Sequence, residues 1–165
     1  MHFEKVSLAQ FTQDVQKSYP QLTTQLIEQL WNDIKLPKRS SISSAGYDFY
    51  LPAAEYFTAV KPTKVLTGIR WIGDDDKVLL LFPRSGLGCK YGVRLSNTVG
   101  VVDADYCNSD NEGHIMAFIE TREDCFVDKG KAFIQGVIVP YALVADDATT
   151  DTRNGGFGSS DEKSN

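Results

Sequence analysis

The feature that most constrains the fold of this chain is a series of short apolar segments between about Arg39 and Ala145, separated by Gly, Pro, Asp and Asn. Such segments, rich in β-branched and aromatic residues, are typical of β-strands when turn-forming residues bound them. Because many of them follow one another with few helices, the sequence favours a mainly β sandwich, barrel or jelly roll. The predicted strands are residues 45–51, 63–72, 77–82, 93–95, 100–102, 113–121, 125–127 and 132–139.

Residues 1–38 carry a helical pattern instead, and we predict that they form an N-terminal helical extension. Ser7 and Gln10 have the spacing of a capping box, and Pro20 suits the first turn of a second helix. An apolar stripe at four-residue steps is predicted to pack on the protein's own core or on a sister subunit, with a protein partner as the alternative. The stripe consists of Leu22, Leu26, Leu30 and Ile34.

The last segment, residues 146–165, is rich in Asp, Thr, Ser and Gly and has a single aromatic residue, Phe157. A segment of this composition cannot bury enough apolar surface to order itself, which predicts a flexible C-terminal arm. Its Arg153 and hydroxyls suit phosphate, and its aromatic suits the face of a base, so a closing flap is an alternative to a plain tail. The predicted organisation is therefore a helical extension at 1–38, a β core at 39–145 and an arm at 146–165.

The composition excludes several classes of function. The chain has 165 residues and a formal net charge of −5, which argues against broad electrostatic binding to nucleic acid or to an anionic membrane. No apolar run reaches the roughly 18 residues that a membrane helix needs, and the N-terminus shows no secretory signal. Cysteines without a CxxC pair disfavour a disulfide framework or a structural zinc site and favour a cytoplasmic setting.

Two strand ends carry residues suited to phosphate chemistry. Arg84, Ser85 and Gly86 follow the most apolar strand, where a guanidinium, a hydroxyl and a flexible backbone can bind an anion. A tight turn with a surface arginine is the alternative there. Asp103 and Asp105 end the next apolar strand, and both carboxylates lie on one side if the chain stays extended. A carboxylate at this place can take a proton from water, or it can bond loop amides instead.

Taken together, five short motifs resemble, in their order, the trimeric dUTPases (deoxyuridine triphosphate nucleotidohydrolases). The resemblance covers residues 45–160 and leaves the helical N-terminal zone unexplained. It implies a distorted β-barrel or jelly roll of the dUTPase type (a β-clip), a homotrimer with shared active sites, and Mg²⁺-dependent hydrolysis of dUTP to dUMP and pyrophosphate. In the family this reaction keeps uracil out of DNA and supplies dUMP for thymidylate synthesis. The motifs are Ala45-Gly46-Tyr47-Asp48-Phe49, Arg84-Ser85-Gly86-Leu87, Asn97 with residues 100–106, Gly130-Lys131-Ala132-Phe133-Ile134-Gln135, and Arg153 with residues 155–159.

The resemblance also implies which residues carry the phosphate chemistry. Asp103 matches the aspartate that orients and deprotonates the attacking water, which strikes the α-phosphorus while pyrophosphate leaves. Ser85 matches a serine near the oxygen that bridges the α- and β-phosphates. Mg²⁺ is expected to be held mainly by substrate phosphates and waters, with Asp48 and Gln135 reaching it through water. The other phosphate-binding residues that the resemblance implies are Arg84, Gly86, Arg153, Ser159 and Ser160.

Selection of the base and the sugar is implied for a second group of residues. Asn97 and backbone groups of its hairpin match those that bind the uracil edge. Tyr106 matches a tyrosine that lies against the deoxyribose, where a ribose 2′-hydroxyl would collide. Phe157 matches the aromatic that covers the uracil when the C-terminal arm closes, usually onto a neighbouring subunit. The contacts implied with uracil and deoxyribose also include Gly100, Val102 and Asp103.

One departure from the family pattern lies beside the glutamine of the fourth motif. The family commonly has a basic residue and an alanine where this chain has Ala132 and Ile134. A supporting ion pair is therefore expected to be lost near Gln135.

The second departure is a longer loop, residues 107–112, after Tyr106. Its Asp110 and Glu112 are predicted to be solvated, with a contact to a protein partner as the alternative. This loop and the N-terminal helices motivate a second hypothesis, a nucleotide-gated protein-interaction module (a regulatory dUTPase). A third hypothesis is a relative of the dCTP deaminases, which share the Pro-Arg-Ser segment but use a glutamate as the catalytic base.

Overall fold

The computed structural model describes residues 1–150, in which antiparallel strands predominate over helices. The prediction of a mainly β chain is confirmed. In chain order the elements are β1 (His2–Lys5), α1 (Leu8–Ser18), α2 (Thr24–Asn32), β2 (Lys38–Arg39), β3 (Tyr47–Tyr50), β4 (Glu55–Phe57), β5 (Thr63–Leu66), β6 (Ile69–Ile72), β7 (Lys77–Pro83), α3 (Ser85–Tyr91), β8 (Arg94–Leu95), β9 (Gly100–Asp103), a 3₁₀ helix (Ala104–Asn108), β10 (Met116–Glu120), β11 (Cys125–Val127) and β12 (Ala132–Pro140).

The strands form four sheets, and within residues 1–150 these do not close into one barrel. The largest is a five-stranded sheet in the order β2-β3-β12-β7-β9. A three-stranded sheet has the order β5-β10-β8, and β1 pairs with β6 as β11 does with β4. Strand β7 lies between β12 and β9, so it connects the elements that carry the fourth and third motifs.

The N-terminal helices pack on the β-sheets through one apolar face. Phe11, Val15 and Ile27 are buried, and they belong to the same core as Trp71 and Leu79. Ser7 caps α1 by accepting a hydrogen bond from the Gln10 amide, as the capping-box spacing predicted. Of the predicted stripe, Ile34 is buried and Leu22 and Leu30 pack partly against this core, whereas Leu26 is exposed. Most of the stripe therefore contacts the protein's own core, in agreement with the first of the two alternatives drawn from the sequence.

Two predicted elements differ from the structure for local reasons. The predicted strand 63–72 is two strands, because Gly68 between them has a φ of +69° and turns the chain. Pro20 does not begin the second helix; the helix starts at Thr24 because the Thr23 hydroxyl accepts a hydrogen bond from the Leu26 amide.

The loop that follows Tyr106 is bound to the N-terminal segment through Glu112, whose side chain is partly exposed rather than freely solvated. The backbone amide and the hydroxyl of Ser7 both donate to the Glu112 carboxylate, at 2.7 and 2.6 Å. Burial alone would raise the pKa of Glu112, but these two hydrogen bonds lower it below its ordinary value. Asp110, in contrast, is exposed.

Glu112→Gln is expected to lower the free energy of unfolding by about 1 kcal/mol near neutral pH, because an amide oxygen accepts weaker hydrogen bonds than a carboxylate. The lowered pKa means that this stabilisation is fully present above the ordinary value of 4.5 and is lost as pH falls through the folded value. Urea unfolding of both proteins at about pH 7 and about pH 3 should therefore give a difference that shrinks at the lower pH. A difference that stays constant with pH would contradict the prediction.

Candidate active site

Three residues of the predicted phosphate site meet where β3, β12 and β7 lie side by side. Gln135 on β12 stands opposite Asp48 on β3 and opposite Phe82 on β7. Arg84 follows directly after β7, and its guanidinium forms an ion pair with the largely buried Asp48 carboxylate. The sheet register thus gathers one cation, one carboxylate and one amide at the same end of β7.

Gln135 is oriented by its neighbours on both sides. Its Nε2 donates to the Pro83 carbonyl at 3.3 Å, so its Oε1 is the atom left to face Gly46. An added Cβ at Gly46 would lie 2.6 Å from that oxygen. The first motif therefore needs glycine at position 46, because any side chain there would collide with the Gln135 amide.

Gly46→Ala is expected to displace the Gln135 amide and to lower kcat/KM for the nucleotide roughly 10- to 100-fold, since small shifts of positioning groups are costly. The free energy of unfolding should change by less than about 1 kcal/mol, because the far end of a flexible side chain can move. Gly88→Ala is the matched control, since its Cβ would meet Val93 O at an ordinary 3.4 Å. Equal activity of both variants would show that Gln135 is not positioned in this way.

The pairing of Asp48 with Arg84 was not predicted from the sequence. With Ala132 in the fourth motif, that position supplies no cation, and the residue stands opposite Tyr50 in the ladder. Burial raises the pKa of Tyr50, and the nearby Asp48 carboxylate adds to the rise while Arg84 opposes it. Asp48 therefore takes its cation from the second motif, so the expected loss of an ion pair is compensated within the site.

Ser85 and Gly86 begin a short helix, α3, where the sequence left a tight turn as the alternative to an anion-binding loop. The first hydrogen bond of this helix runs from the Gly88 amide to the Arg84 carbonyl. The amides of residues 85–87 precede that bond and have no partner inside the helix. Ser85 and Gly86 are exposed, and an added Cβ at Gly86 would meet nothing within 4 Å. This end of β7 is therefore open to a ligand.

Asn97 and Gly100 lie together at a cavity of about 110 Å³ beside β10. Strands β8 and β9 pair with β10 and β7 rather than with each other, so the connection 96–99 links two sheets instead of closing the hairpin that the resemblance implied. Gly100 faces Leu81 on β7, and an added Cβ there would lie 3.0 Å from the Leu81 Cβ. The connection holds Thr98 at a φ of +68°, a conformation that β-branched residues rarely adopt, at the place where the uracil edge was predicted to bind.

Asp103 ends β9 and immediately precedes the 3₁₀ helix that carries Tyr106. Val102 and Tyr106 are buried, whereas Asp103 is half-buried. Because the chain turns into a helix at residue 104, Asp105 does not continue the strand, and the expectation that Asp103 and Asp105 share one side rested on an extended chain. Asp105 is exposed, which leaves Asp103 as the carboxylate of this strand end.

One chain does not bring Asp103 and Arg84 together. Asp103 stands opposite Val78, near the first residues of β7, whereas Arg84 follows the last residue of the same strand. Six residues of extended chain separate these positions, which corresponds to about 20 Å at roughly 3.3 Å per residue. The predicted water-activating carboxylate and the predicted phosphate site therefore lie at opposite ends of β7.

Four predicted site residues lie outside the described part of the chain: Arg153, Phe157, Ser159 and Ser160. Within residues 1–150, no group of three or more His, Cys, Asp or Glu side chains is placed to hold a metal ion. Asp48 and Gln135 offer two side-chain oxygens from neighbouring strands, of which the Asp48 carboxylate is largely buried and paired with Arg84. That donor set fits Mg²⁺, which keeps several waters and is commonly bound through one or two carboxylates and substrate phosphates.

Comparisons with known proteins agree with the order of the motifs. A family model described as dUTPase matches residues 32–161. The deoxyuridine 5'-triphosphate nucleotidohydrolase of Lactococcus lactis subsp. lactis is 39% identical over 132 residues, which cover 76% of this chain and 87% of the relative. The enzyme of the same name from Hahella chejuensis is 36% identical over 148 residues, with 84% and 94% covered.

Solved structures show the same similarity in three dimensions. The dUTPase from Streptococcus mutans superposes with a TM-score of 0.64 at 31% identity, covering 87% of this chain and 98% of that one. A dUTPase from phage phi11 of S. aureus, solved with a structural Mg(II) ion, has the same fold at a TM-score of 0.61 and 18% identity, with 74% and 94% covered. Among the described residues, no helix has the length and apolar character that crossing a bilayer requires.

Proposed function

The chain belongs to the dUTPase family, and we propose that it hydrolyses dUTP to dUMP and pyrophosphate. The observation that carries this proposal is the meeting of Arg84, Asp48 and Gln135 at one open end of β7, in the family's motif positions. The reaction keeps uracil out of DNA and supplies dUMP for thymidylate synthesis. The reduced state of the three cysteines suits a cytoplasmic enzyme.

In the proposed mechanism the Asp103 carboxylate orients a water molecule and accepts its proton. The water oxygen forms a bond to the α-phosphorus, and the bond from that phosphorus to the bridging oxygen breaks, so pyrophosphate leaves with the electron pair. Catalysis of this kind depends on positioning and on neutralising charge rather than on a covalent intermediate. Arg84 and Arg153 bind phosphate oxygens, and the Ser85 hydroxyl donates toward the bridging oxygen as negative charge develops there.

Asp48 and Gln135 are the residues that would orient the waters of a Mg²⁺ ion held by the substrate phosphates. When bound, the ion supplies charge neutralisation on the phosphate oxygens. Because Asp48 is paired with Arg84 in the free protein, its carboxylate is already fixed on the face where the phosphates would lie. Gly86 and the amides at the start of α3 complete the phosphate contacts, together with Ser159 and Ser160.

The base and the sugar are selected at the other end of the nucleotide. Asn97 and the backbone of Gly100 and Val102 are proposed to bond the uracil edge, so a base with the wrong donors and acceptors leaves buried groups unpaired. Tyr106 closes the space beside the 2′-carbon, which excludes a ribose hydroxyl. Phe157 covers the uracil when the arm folds over the site.

We further propose that each active site is shared in a homotrimer. The support is the separation of about 20 Å between Asp103 and Arg84 along β7, which is too long for one chain to place both groups on the α-phosphate. A second subunit that supplies Asp103 removes this difficulty. In this assembly the four sheets form the family's distorted β-barrel or jelly roll. Residues 1–38 are the helical extension, residues 39–145 the β core and residues 146–165 the arm.

The proposal is tested by measuring pyrophosphate release from dUTP, dCTP, dTTP and UTP, with and without Mg²⁺, beside a mass measurement in solution. Turnover of dUTP alone, with Mg²⁺ and in a trimer, is the expected result. Release of ammonia from dCTP would instead identify a deaminase of the related class. Binding of dUTP without turnover would identify a nucleotide-gated interaction module, and a monomer with full activity would overturn the shared site.

No contact within residues 1–150 favours the interaction module over the enzyme. The N-terminal helices bury their apolar face against the protein's own core, and Glu112 of the longer loop is bonded to Ser7. Both features that motivated a protein partner thus have partners inside the chain.

A chain that ends at Thr150 is expected to form the same trimer but to lose most of its dUTP turnover. The reason is that Arg153 and Phe157 would no longer close over the phosphates and the base, so water would enter the site. Activity and solution mass are measured on the same preparation. Loss of the trimer would show that the segment after Thr150 is structural instead.

A further inference from the structure

The hydroxyl of Tyr106 forms two hydrogen bonds with the loop that follows it. It donates to the His114 carbonyl at 3.1 Å and accepts from the Asn111 side-chain amide at 2.9 Å. The ring itself is 7% exposed. Residues 107–114, here called the 107–114 loop, therefore fix the tip of the side chain to which the proposed function assigns the rejection of ribose.

The 107–114 loop has a backbone that needs outside support. Glu112 and Gly113 both have a positive φ, at 58° and 72°. A non-glycine residue is strained in this region, so the conformation persists only where neighbouring contacts enforce it. The contacts that enforce it come from the N-terminal segment, which lies almost entirely outside the residues matched by the family model.

The first of these contacts is the pair of hydrogen bonds from Ser7 to Glu112, at 2.7 and 2.6 Å. Ser7 is also the N-cap of α1, so the same residue begins this helix and binds the loop. Because the carboxylate accepts both bonds, any movement of Glu112 away from Ser7 breaks both of them.

The second contact is a buried pair formed by His114 and Asp14 of α1. The Gly68 amide donates to Nε2 of His114 at 2.8 Å, which makes Nε2 the acceptor and leaves the proton on Nδ1. Nδ1 then donates to the Asp14 carboxylate at 2.7 Å, and the Gln10 amide donates to the same oxygen at 2.9 Å. His114 is fully buried and Asp14 is 5% exposed, so solvent cannot replace these bonds.

The third contact runs from β1 through Arg70 of β6. Arg70 Nε lies 3.5 Å from the Glu4 carboxylate, and its Nη2 donates to the Cys107 carbonyl at 3.1 Å. Cys107 is the residue directly after Tyr106. The N-terminal segment thus contacts the 107–114 loop directly at Glu112 and His114, and indirectly, through Arg70, at Cys107. We call this segment the N-terminal clasp.

We propose that this N-terminal clasp, formed by β1 and α1, positions Tyr106 and so sets the discrimination between deoxyribose and ribose nucleotides. Ser7 and Asp14 are positioning residues in this account, and they act through Glu112 and His114. The inference rests on the proposed function. Tyr106 excludes the ribose 2′-hydroxyl only if its side chain stays in place. When the 107–114 loop is released, the side chain can move and make room for that hydroxyl.

The experiment compares kcat/KM for dUTP and UTP in Ser7→Ala and Glu112→Ala, the second of which removes the acceptor of both Ser7 hydrogen bonds. Both variants are expected to lower the ratio of dUTP to UTP about tenfold, mainly through a lower KM for UTP, while kcat for dUTP changes little. Thr23→Ala is the matched control, because it removes the N-cap of α2 as Ser7→Ala removes that of α1, and the Thr23 hydroxyl bonds to Leu26 of its own helix rather than to the loop. An unchanged ratio in Ser7→Ala and Glu112→Ala, or an equal fall in Thr23→Ala, would overturn the proposal.

The buried pair supplies an independent test. Asp14→Asn keeps an oxygen that can accept from His114 and Gln10, so its ratio is expected to stay close to that of the wild type. Asp14→Leu removes the acceptor and is expected to lower the ratio. If Asp14→Leu fails to fold, the comparison of Ser7→Ala with Thr23→Ala still decides the question. The wild-type protein is measured first, because an absence of dUTP turnover would refute the proposed function. If the wild type turns over dUTP and every variant keeps its preference for dUTP over UTP, only the proposal of the N-terminal clasp is refuted.

Discussion

Replacement of Asp103 by asparagine is expected to lower kcat for dUTP by about 100-fold or more, because it removes the group that accepts the proton of the attacking water. Asparagine has nearly the same size and keeps an oxygen that can bond the sugar and the water. The side chain makes no capping hydrogen bond to the 3₁₀ helix that follows it, so the carboxylate is not needed to cap that helix. Binding of the nucleotide should therefore be nearly unchanged.

The effect is measured as a split between binding and turnover. Titration calorimetry with a non-hydrolysable dUTP analogue gives Kd, and release of pyrophosphate gives kcat. Asp105→Asn is the matched control, since it removes an exposed carboxylate two residues further along the chain. A similar loss of kcat in both variants would indicate a general electrostatic effect, and wild-type turnover in Asp103→Asn would refute the assignment of the base.

The strands that the sequence predicted are those with a strong local pattern. The predicted segments 77–82 and 125–127 agree with β7 and β11 to within a residue, because alternation and apolar runs are properties of neighbouring residues. Strands β1 and β4 were not predicted. Each pairs with a strand far away in the chain, β1 with β6 and β4 with β11, so their local composition gives little indication of a strand.

Helix α3 was missed for a related reason. Its seven residues include Gly86 and Gly88, and none of them is buried, so there is neither helical propensity nor an apolar face to recognise. The helix depends on its position after β7 and on its end at Gly92, which has a φ of +69°. The surroundings of this segment in the folded chain, rather than its local sequence, therefore determine that it is helical.

The motifs located the residues of the candidate site, but they did not determine which residues contact one another. The pairing of Asp48 with Arg84 follows from the registers of β12 with β3 and with β7. The distance between Asp103 and Arg84 follows from the register of β7 with β9. A register is set by the packing of whole sheets, so neither relation can be obtained from motif spacing.

Because Asp103 and Arg84 lie far apart in one chain, we expect dUTP turnover to recover when two inactive variants are assembled into mixed trimers. Arg84→Ala removes the phosphate-binding cation, and Asp103→Asn removes the proton acceptor, so each variant alone should be nearly inactive. If a site takes Arg84 from one subunit and Asp103 from another, mixed trimers contain sites in which both groups are intact. With random assembly each site has a chance of one half for either residue, so roughly one quarter of wild-type activity should return.

The two variants are co-refolded from denaturant in equal amounts, and dUTP turnover is compared with that of each variant refolded alone. The same proteins mixed after folding are the control, because subunits that do not exchange cannot form hybrid sites. A chain that used its own Asp103 with its own Arg84 would carry a defect in every site, and co-refolding would then recover nothing. Recovery in the hybrid alone would therefore establish that the roughly 20 Å between the two ends of β7 is spanned by a second subunit.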